Sequence, residues 1–463
     1  MIKSFFTPPT HDVIEHYLKK AKIRKTLKTS FFEGSIAGIS ASIFEHFLRP
    51  LALFVNATVF QIGLLSSIPQ LLVSVTQLWL PDILLRFKSR RNFVVLFALV
   101  QSLLVIPIIL IHFLPGILQI PLLIVSFCFY TVIGSMVGPA WASLMSDIVP
   151  KRIIGLYFGK RDRMIGISSL IVILLIGFLL QQLSTNLALG FVFIFTLACI
   201  LRIISSMFLK TQYDIPLHIK PEHHFSFLQF LRRAKTGNFG NYVFFVSGLS
   251  FSVSFAGPYF AVYMLESIQF NYFQYSIITI SPLFFGIVFV PFWGKIGDRF
   301  GNLSVIRICG LVIPLIPVAW LISENFYYLL LIQIPSGLVW CGFNLCSTNF
   351  IYDSAIPEKR VRCISYFNAI NNFSACIGTL LGGGSVYYVP ALFGEKLLSI
   401  FVISALLRAI AVIFLYKRIK EVKRVRPFKL EKEYFRGIVP VFRPNRGYIR
   451  PVGVEMEKQS NNP

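Results

Sequence analysis

The sequence predicts an all-α integral membrane protein, with twelve transmembrane helices in two six-helix bundles related by a pseudo-two-fold axis. Three observations predict it. Apolar residues make up 55% of the chain and charged residues only 14%, where a soluble domain carries about a quarter charged residues. The apolar residues fall into runs close to the roughly 20 residues that a helix needs to cross a bilayer. Basic residues crowd every second connection between those runs, and the second half of the chain repeats features of the first.

Taken in order, residues 1–30 are polar and basic, with Lys19, Lys20, Lys22, Arg24, Lys25 and Lys28. They lack the form of a cleavable signal and read as a tail at the membrane surface. Twelve apolar segments follow: 31–55, 60–80, 93–113, 118–142, 164–183, 187–209, 241–264, 272–293, 303–322, 326–351, 364–389 and 397–416. Residues 31–209 thus form the first bundle and 241–416 the second, joined by a polar linker, 210–240. Residues 417–463 are basic and interrupted by proline, the composition of a disordered tail.

Charge placement sets the orientation. Of the 44 Lys and Arg residues, only Lys396 falls in an odd-numbered connection, and only Arg49, Arg202 and Arg408 lie deep in apolar segments. The remainder lie in or beside the even connections and the two tails. By the positive-inside rule both termini are expected in the cytoplasm, with the chain in the cytoplasmic (inner) membrane. The net charge of +24 then faces anionic lipid heads, which argues against a nucleic-acid partner. The seven cysteines show no Cys-x-x-Cys spacing and read as small apolar residues, with neither disulfides nor a zinc site indicated. Glu222-His223-His224 in the linker lacks the further ligands of a metal site. No phosphate-binding glycine loop and no nucleophile–His–acid arrangement occurs, so neither ATP use, an enzyme activity nor a cofactor is expected.

The repeat is specific. Phe60-Gln61 and Pro69 recur as Phe273-Gln274 and Pro282, Pro50 as Pro258, and Asp82 as Asp298. Asp147 and Pro150 with Tyr157-Phe158 match Asp353 and Pro357 with Tyr366-Phe367. Leu201-Arg202 and Phe208-Leu209 match Leu407-Arg408 and Phe414-Leu415. Between two apolar runs stands Trp293-Gly294-Lys295-Ile296-Gly297-Asp298-Arg299-Phe300-Gly301-Asn302. Its glycines predict a tight loop, and Asp298 with Arg299 a charged point at the membrane boundary.

That pattern resembles the short loop that marks the major facilitator superfamily of secondary transporters, and the resemblance covers about residues 31–416. The stretch Asp147 to Arg163 and its partner Tyr366 to Asn371 are similar to a group of bacterial permeases in that superfamily. The resemblance implies alternating access around a midplane site between two parallel repeats. It also implies a small-molecule substrate, a coupling proton or cation, a monomer in the lipid bilayer, and a cytoplasmic gate that includes Asp82, Arg86, Asp147, Gly294, Asp298, Arg299, Gly301 and Asp353. Two departures stand out. The first-half loop, Pro81 to Arg91, keeps Asp82 but lacks the glycines. It is expected to run as a helical end with Asp82 and Arg86 paired at i, i+4. Segment 164–183 lacks the proline of the Gly-Pro motif found in drug exporters of the superfamily, which makes a drug exporter the less favoured alternative. A membrane sensor or assembly factor on the same fold is the other.

Charge inside a bilayer is costly and marks function by default. Helix 1 carries Glu45, His46 and Arg49, with Glu45 and Arg49 one turn apart on the face of Ser35, Gly38 and Ser42. Two readings stand: a substrate or proton site in which Glu45 titrates and Arg49 holds an anion, or a self-neutralising ion pair in the cavity wall. Arg202 and Arg408 lie within about two turns of the cytoplasmic ends of their helices and are expected to snorkel to the interface. Helix 10 places Gln333, Gly337, Trp340, Asn344 and Ser347 on one face, and helices 4 and 7 offer Tyr130, Trp141 and Tyr259 as aromatic lining. On helix 11, Gly378 and Gly382 allow close helix approach.

Overall fold

The computed structural model describes residues 11–87, 89–150, 154–215, 226–234, 237–354, 360–415 and 418–422. The tail beyond residue 422 and the Glu222-His223-His224 stretch lie outside the described residues. Six helices build the first bundle: α1 (His11–Phe54), α2 (Val59–Arg86), α3 (Arg90–Leu103, extended by Ile106–Ile109 and Ile111–Phe113), α4 (Gly116–Ile148), α5 (Ile154–Gln182) and α6 (Leu187–Lys210). A short surface helix, Phe227–Ala234, precedes the second bundle. There α7 comprises Asn238–Ala256, Tyr259–Val262 and a π turn, Tyr263–Ser267. It is followed by α8 (Tyr272–Phe300), α9 (Asn302–Val312 with Leu315–Ala319), α10 (Phe326–Leu331 with Gln333–Ser354), α11 (Arg360–Ser385) and α12 (Lys396–Leu415).

Ten of these crossings are long and apolar enough by composition to span a bilayer. The other two, α1 and α11, carry the polar residues of the bundle interface, which dilutes their hydropathy. Outward side chains such as Leu175, Phe178, Met207 and Ile410 are exposed, as expected of a surface solvated by lipid. The breaks in α3, α7 and α9 fall at Pro107, Pro258 and Pro314, where proline removes an N–H and clashes with the preceding turn. The repeated Phe-Gln pair has a local cause. Gln61 and Gln274 close matching capping boxes with Thr58 and Asn271 at the starts of α2 and α8, which satisfies the first free amides of each helix.

Two local expectations are corrected. The stretch from Trp293 is not a loop: α8 stays helical through Gly294 and Gly297 to Phe300. Only Gly301 turns, at φ 94°, a region that favours glycine, and α9 begins at Asn302. Helical backbone continues because it keeps its amides bonded while α8 packs on α10, so one residue makes the turn. Nor does Asp82 pair with Arg86. Its carboxylate accepts from Arg362 of α11 at 2.6 Å, while Arg86 stays exposed. The bundles pack where α2 lies along α11, so the opposite bundle presents the nearer cation.

The two bundles meet through α2 with α11 and α5 with α8. Their cores differ between the two membrane faces. Away from the basic face, one apolar cluster unites Phe47 and Leu51 of α1 and Ile62 of α2 with Tyr259 and Tyr263 of α7, Tyr275 of α8 and Phe401 of α12. There the Tyr275 hydroxyl donates to the His46 carbonyl across the seam at 2.9 Å. Towards the basic face the buried cores separate, one around Phe245 and Phe350 in the second bundle and two around Phe93 and Met145 in the first. The bundles are therefore sealed on one face and parted on the other.

Within the second bundle α11 approaches α7 closely. A methyl group on Gly378 or Gly382 would collide with the carbonyl oxygens of Phe251 and Phe255, so the expected close approach is present. Gly384 faces open space. Gly382→Leu should lower stability by about 1–3 kcal/mol through overpacking, read as a drop in the thermal unfolding midpoint. Gly384→Leu should leave the midpoint near that of the parent, and equal losses in the two variants would contradict this packing.

Candidate functional site

Two cavities lie between the bundles. The larger, 660 Å³, is walled chiefly by the first bundle, and the smaller, 320 Å³, chiefly by the second. Helix α1 supplies one stripe to the larger cavity: Glu33, Ala37, Ala41, Glu45 and Arg49, each one turn apart and so on one face. Its small residues hold the wall open between the charges. Glu45 and Arg49 also line the smaller cavity, so these two charged groups stand at the junction. They form no ion pair among the described residues, and the Arg49 Nε is buried with no hydrogen-bond partner. Of the face proposed with them, Gly38 reaches the larger cavity, whereas Ser35 and Ser42 do not line it.

The basic end of the larger cavity holds a polar network that sequence reading missed. Glu33, 4% exposed, accepts from Arg161 Nη2 at 3.2 Å and from the Ser205 hydroxyl at 3.1 Å. Arg161 also donates Nε to the Ser30 carbonyl at 3.1 Å, and its guanidinium lies 3.8 Å over the Trp141 ring. Arg202 donates Nε to Gln101 Oε1 at 2.8 Å and Nη1 to Ser205 at 3.4 Å. The stripe of small residues running from Glu33 to Glu45 was the one available signal that Glu33 shares the face of Glu45.

Arg202 and Arg408 do not snorkel. They are 8% and 3% exposed and line the larger and the smaller cavity respectively. Their helices are turned so that each guanidinium meets polar atoms of its own bundle rather than lipid. The repeat noted in the sequence thus places one buried arginine in each cavity.

The remaining candidates divide. Tyr130, stacked on Phe44 at 4.0 Å, and Trp141 line the larger cavity. His46, Gln333 and Trp340 line the smaller. Tyr259 is fully buried in the sealed seam, donating to the Thr379 carbonyl at 2.7 Å. Asn344 is exposed, Gly337 packs on α8 against Pro282 and Phe285, and Ser347 bonds to Tyr242, so the predicted face of α10 is split. At the basic face Asp147 pairs with Arg90 at 2.6 Å, and Asp353 accepts from Asn302 at 2.9 Å. Asp298 is exposed at the end of α8, and Arg299 lies 5.1 Å from the Phe300 ring. Arg90, the partner of Asp147, and Arg362, the partner of Asp82, were not singled out from sequence because their acids lie on other helices. Among the described residues no cluster of His, Cys and acidic groups fits a metal ion.

Comparison with known proteins agrees with this architecture. The family model described as "Major Facilitator Superfamily" matches residues 30–255 and again 242–450. Among curated proteins none matches the chain in sequence. Solved structures with the same fold include the nucleoside transporter NupG, with a TM-score of 0.64 and 13% identity over 86% of this chain and 98% of that one. A bacterial homologue of the human lysosomal transporter Spinster, in an inward-facing and unoccupied conformation, has a TM-score of 0.57 and 12% identity over 86% and 97% of the two chains. A bacterial metal transporter has a TM-score of 0.58 and 13% identity over 86% and 98%.

The Glu33–Arg161 pair yields a test. Arg161→Met alone strands a buried carboxylate and should cost about 3–5 kcal/mol, as for a buried pair broken on one side. Adding Glu33→Gln to Arg161→Met should restore most of the thermal stability. Losses that simply add would show that the two groups do not depend on each other.

Proposed function

This chain belongs to the Major Facilitator Superfamily, and from its cavities we propose that it is a secondary transporter moving a small organic anion across the cytoplasmic membrane. One observation carries the reading. Arg49, Arg161, Arg202 and Arg408 line the two cavities against only Glu33 and Glu45. An excess of positive charge in a low-dielectric space attracts an anion and disfavours a cation. The aromatic and apolar remainder of the walls suits the body of an organic solute.

The positive-inside pattern supports a cytoplasmic location for the parted face, in which case the described arrangement would be an inward-open state. Alternating access would close this face and part the apolar seam, with α2–α11 and α5–α8 as the surfaces on which the bundles rock. Glu45 and Arg49 supply the coupling. An anion held by Arg49 would sit beside Glu45, which lines both cavities with it and would carry the proton across. One anion and one proton would cross together, which links accumulation to the proton gradient.

Glu45→Gln in proteoliposomes should abolish proton-driven accumulation of a transported anion while counterflow exchange persists. Accumulation by Glu45→Gln that still follows the proton gradient would remove Glu45 from the coupling step. Absence of any anion uptake by the parent protein would overturn the transport reading itself.

A further inference from the structure

We propose that Arg408 is the carboxylate anchor of a substrate site in the smaller cavity, and that this site takes a small organic monocarboxylate with a flat apolar body. The proposal rests on the reading of the protein as an anion transporter and names the class of anion.

The internal repeat supplies the comparison. Arg202 and Arg408 occupy matching places in the two bundles, yet their surroundings differ. Arg202 has Gln101 and Ser205 as acceptors, and Ser205 connects it to the Glu33 carboxylate. Arg408 has one long hydrogen bond, from Nη1 to the Ile313 carbonyl at 3.4 Å. Its Nε is buried with no partner, and among the described residues it makes no ion pair. A guanidinium removed from water without a counter-charge is costly. The first bundle bonds its arginine into a network with Glu33, whereas Glu45, the acid in the wall of the smaller cavity, forms no ion pair with Arg408, which is left to an anion that enters.

The shape and chemistry of the space fix the ligand class. Arg49 stands in the same wall with its own Nε unpartnered, so two guanidiniums address one volume. The planar fork of arginine matches a carboxylate through two parallel hydrogen bonds. Around them Phe260, Tyr275, Trp320 and Trp340 form aromatic walls, which favour a flat body. A volume of 320 Å³ lies at the small end of ligand pockets, about 300–1,000 Å³, and suits a compact acid. Gln333 donates one amide N–H to the Leu329 carbonyl, and the two guanidiniums are the cationic groups that would bind the charge.

The test uses the full-length protein in lipid nanodiscs, with benzoate as probe and benzamide as its uncharged counterpart of the same shape. Benzoate should raise the thermal unfolding midpoint and quench tryptophan fluorescence saturably. Benzamide should bind about tenfold more weakly or worse, the loss expected when a charge-assisted hydrogen bond is missing. Arg408→Gln should erase the preference for benzoate, and Arg408→Lys, which keeps the charge without the fork, should weaken benzoate by about tenfold. Equal binding of benzoate and benzamide to the parent protein would overturn the proposal without any variant being needed. Undiminished benzoate preference in Arg408→Gln would overturn it as well. Should Arg408→Gln not fold, Arg408→Lys decides in its place. If anions are transported yet benzoate does not bind, this site fails while the transport reading stands. If benzoate binds with the expected preference yet no anion is taken up, the site stands and the transport reading fails.

Discussion

A guanidinium inside a bilayer needs a partner, and the arrangement of this protein follows from how each buried arginine finds one. Arg161 finds Glu33 and lies over Trp141. Arg202 finds Gln101 and Ser205. Arg49 and Arg408 retain unpartnered Nε atoms beside the smaller cavity. The satisfied arginines lie at the basic end of the larger cavity, where they tie α1 to α5 and complete the wall. The unsatisfied ones line the smaller cavity, where an incoming anion would complete them.

Apolar packing is unequal between the two faces. The cluster around Phe47, Tyr259 and Phe401 joins both bundles where no charge intervenes. Towards the basic face the buried cores stay separate, and the buried Glu33–Arg161 pair joins α1 to α5 within the first bundle. The Asp82–Arg362 bridge spans the bundles at that face, but it is half exposed and contributes little to holding them. Closure there would have to come from a rearranged packing of α2 on α11 and α5 on α8, which both run between the bundles.

Much of the fold was legible in the sequence. The twelve crossings, the parallel repeat and the close approach at Gly378 and Gly382 are properties of local composition and spacing, and each is present. Even the repeated Phe-Gln pair encodes a local event, a capping box. What failed depends on contacts distant in the chain. Distance from a helix end suggested that Arg202 and Arg408 would snorkel, but the rotation of α6 and α12 sets where a side chain points, and packing decides that rotation. Asp82 was assigned its neighbour on the same helix because spacing reveals Arg86 and conceals Arg362. Glycines at 294 and 297 signal a loop only where packing leaves them free, and α8 packs through them. Glu33 falls near the start of the apolar segment 31–55, but α1 begins at His11, so Glu33 is well inside its helix and in the cavity wall.

Transport by this chain would depend on a charged cavity open to the basic face and sealed from the other. Thr131 lines the larger cavity and carries no charge whose loss would disturb it. In membrane vesicles of both orientations, a membrane-impermeant thiol reagent should react with Thr131→Cys from the cytoplasmic side well above the rate of the parent protein. From the outer side, without substrate, reaction should stay at the parent rate. Faster labelling from outside than from inside would contradict both the orientation and the sealed seam.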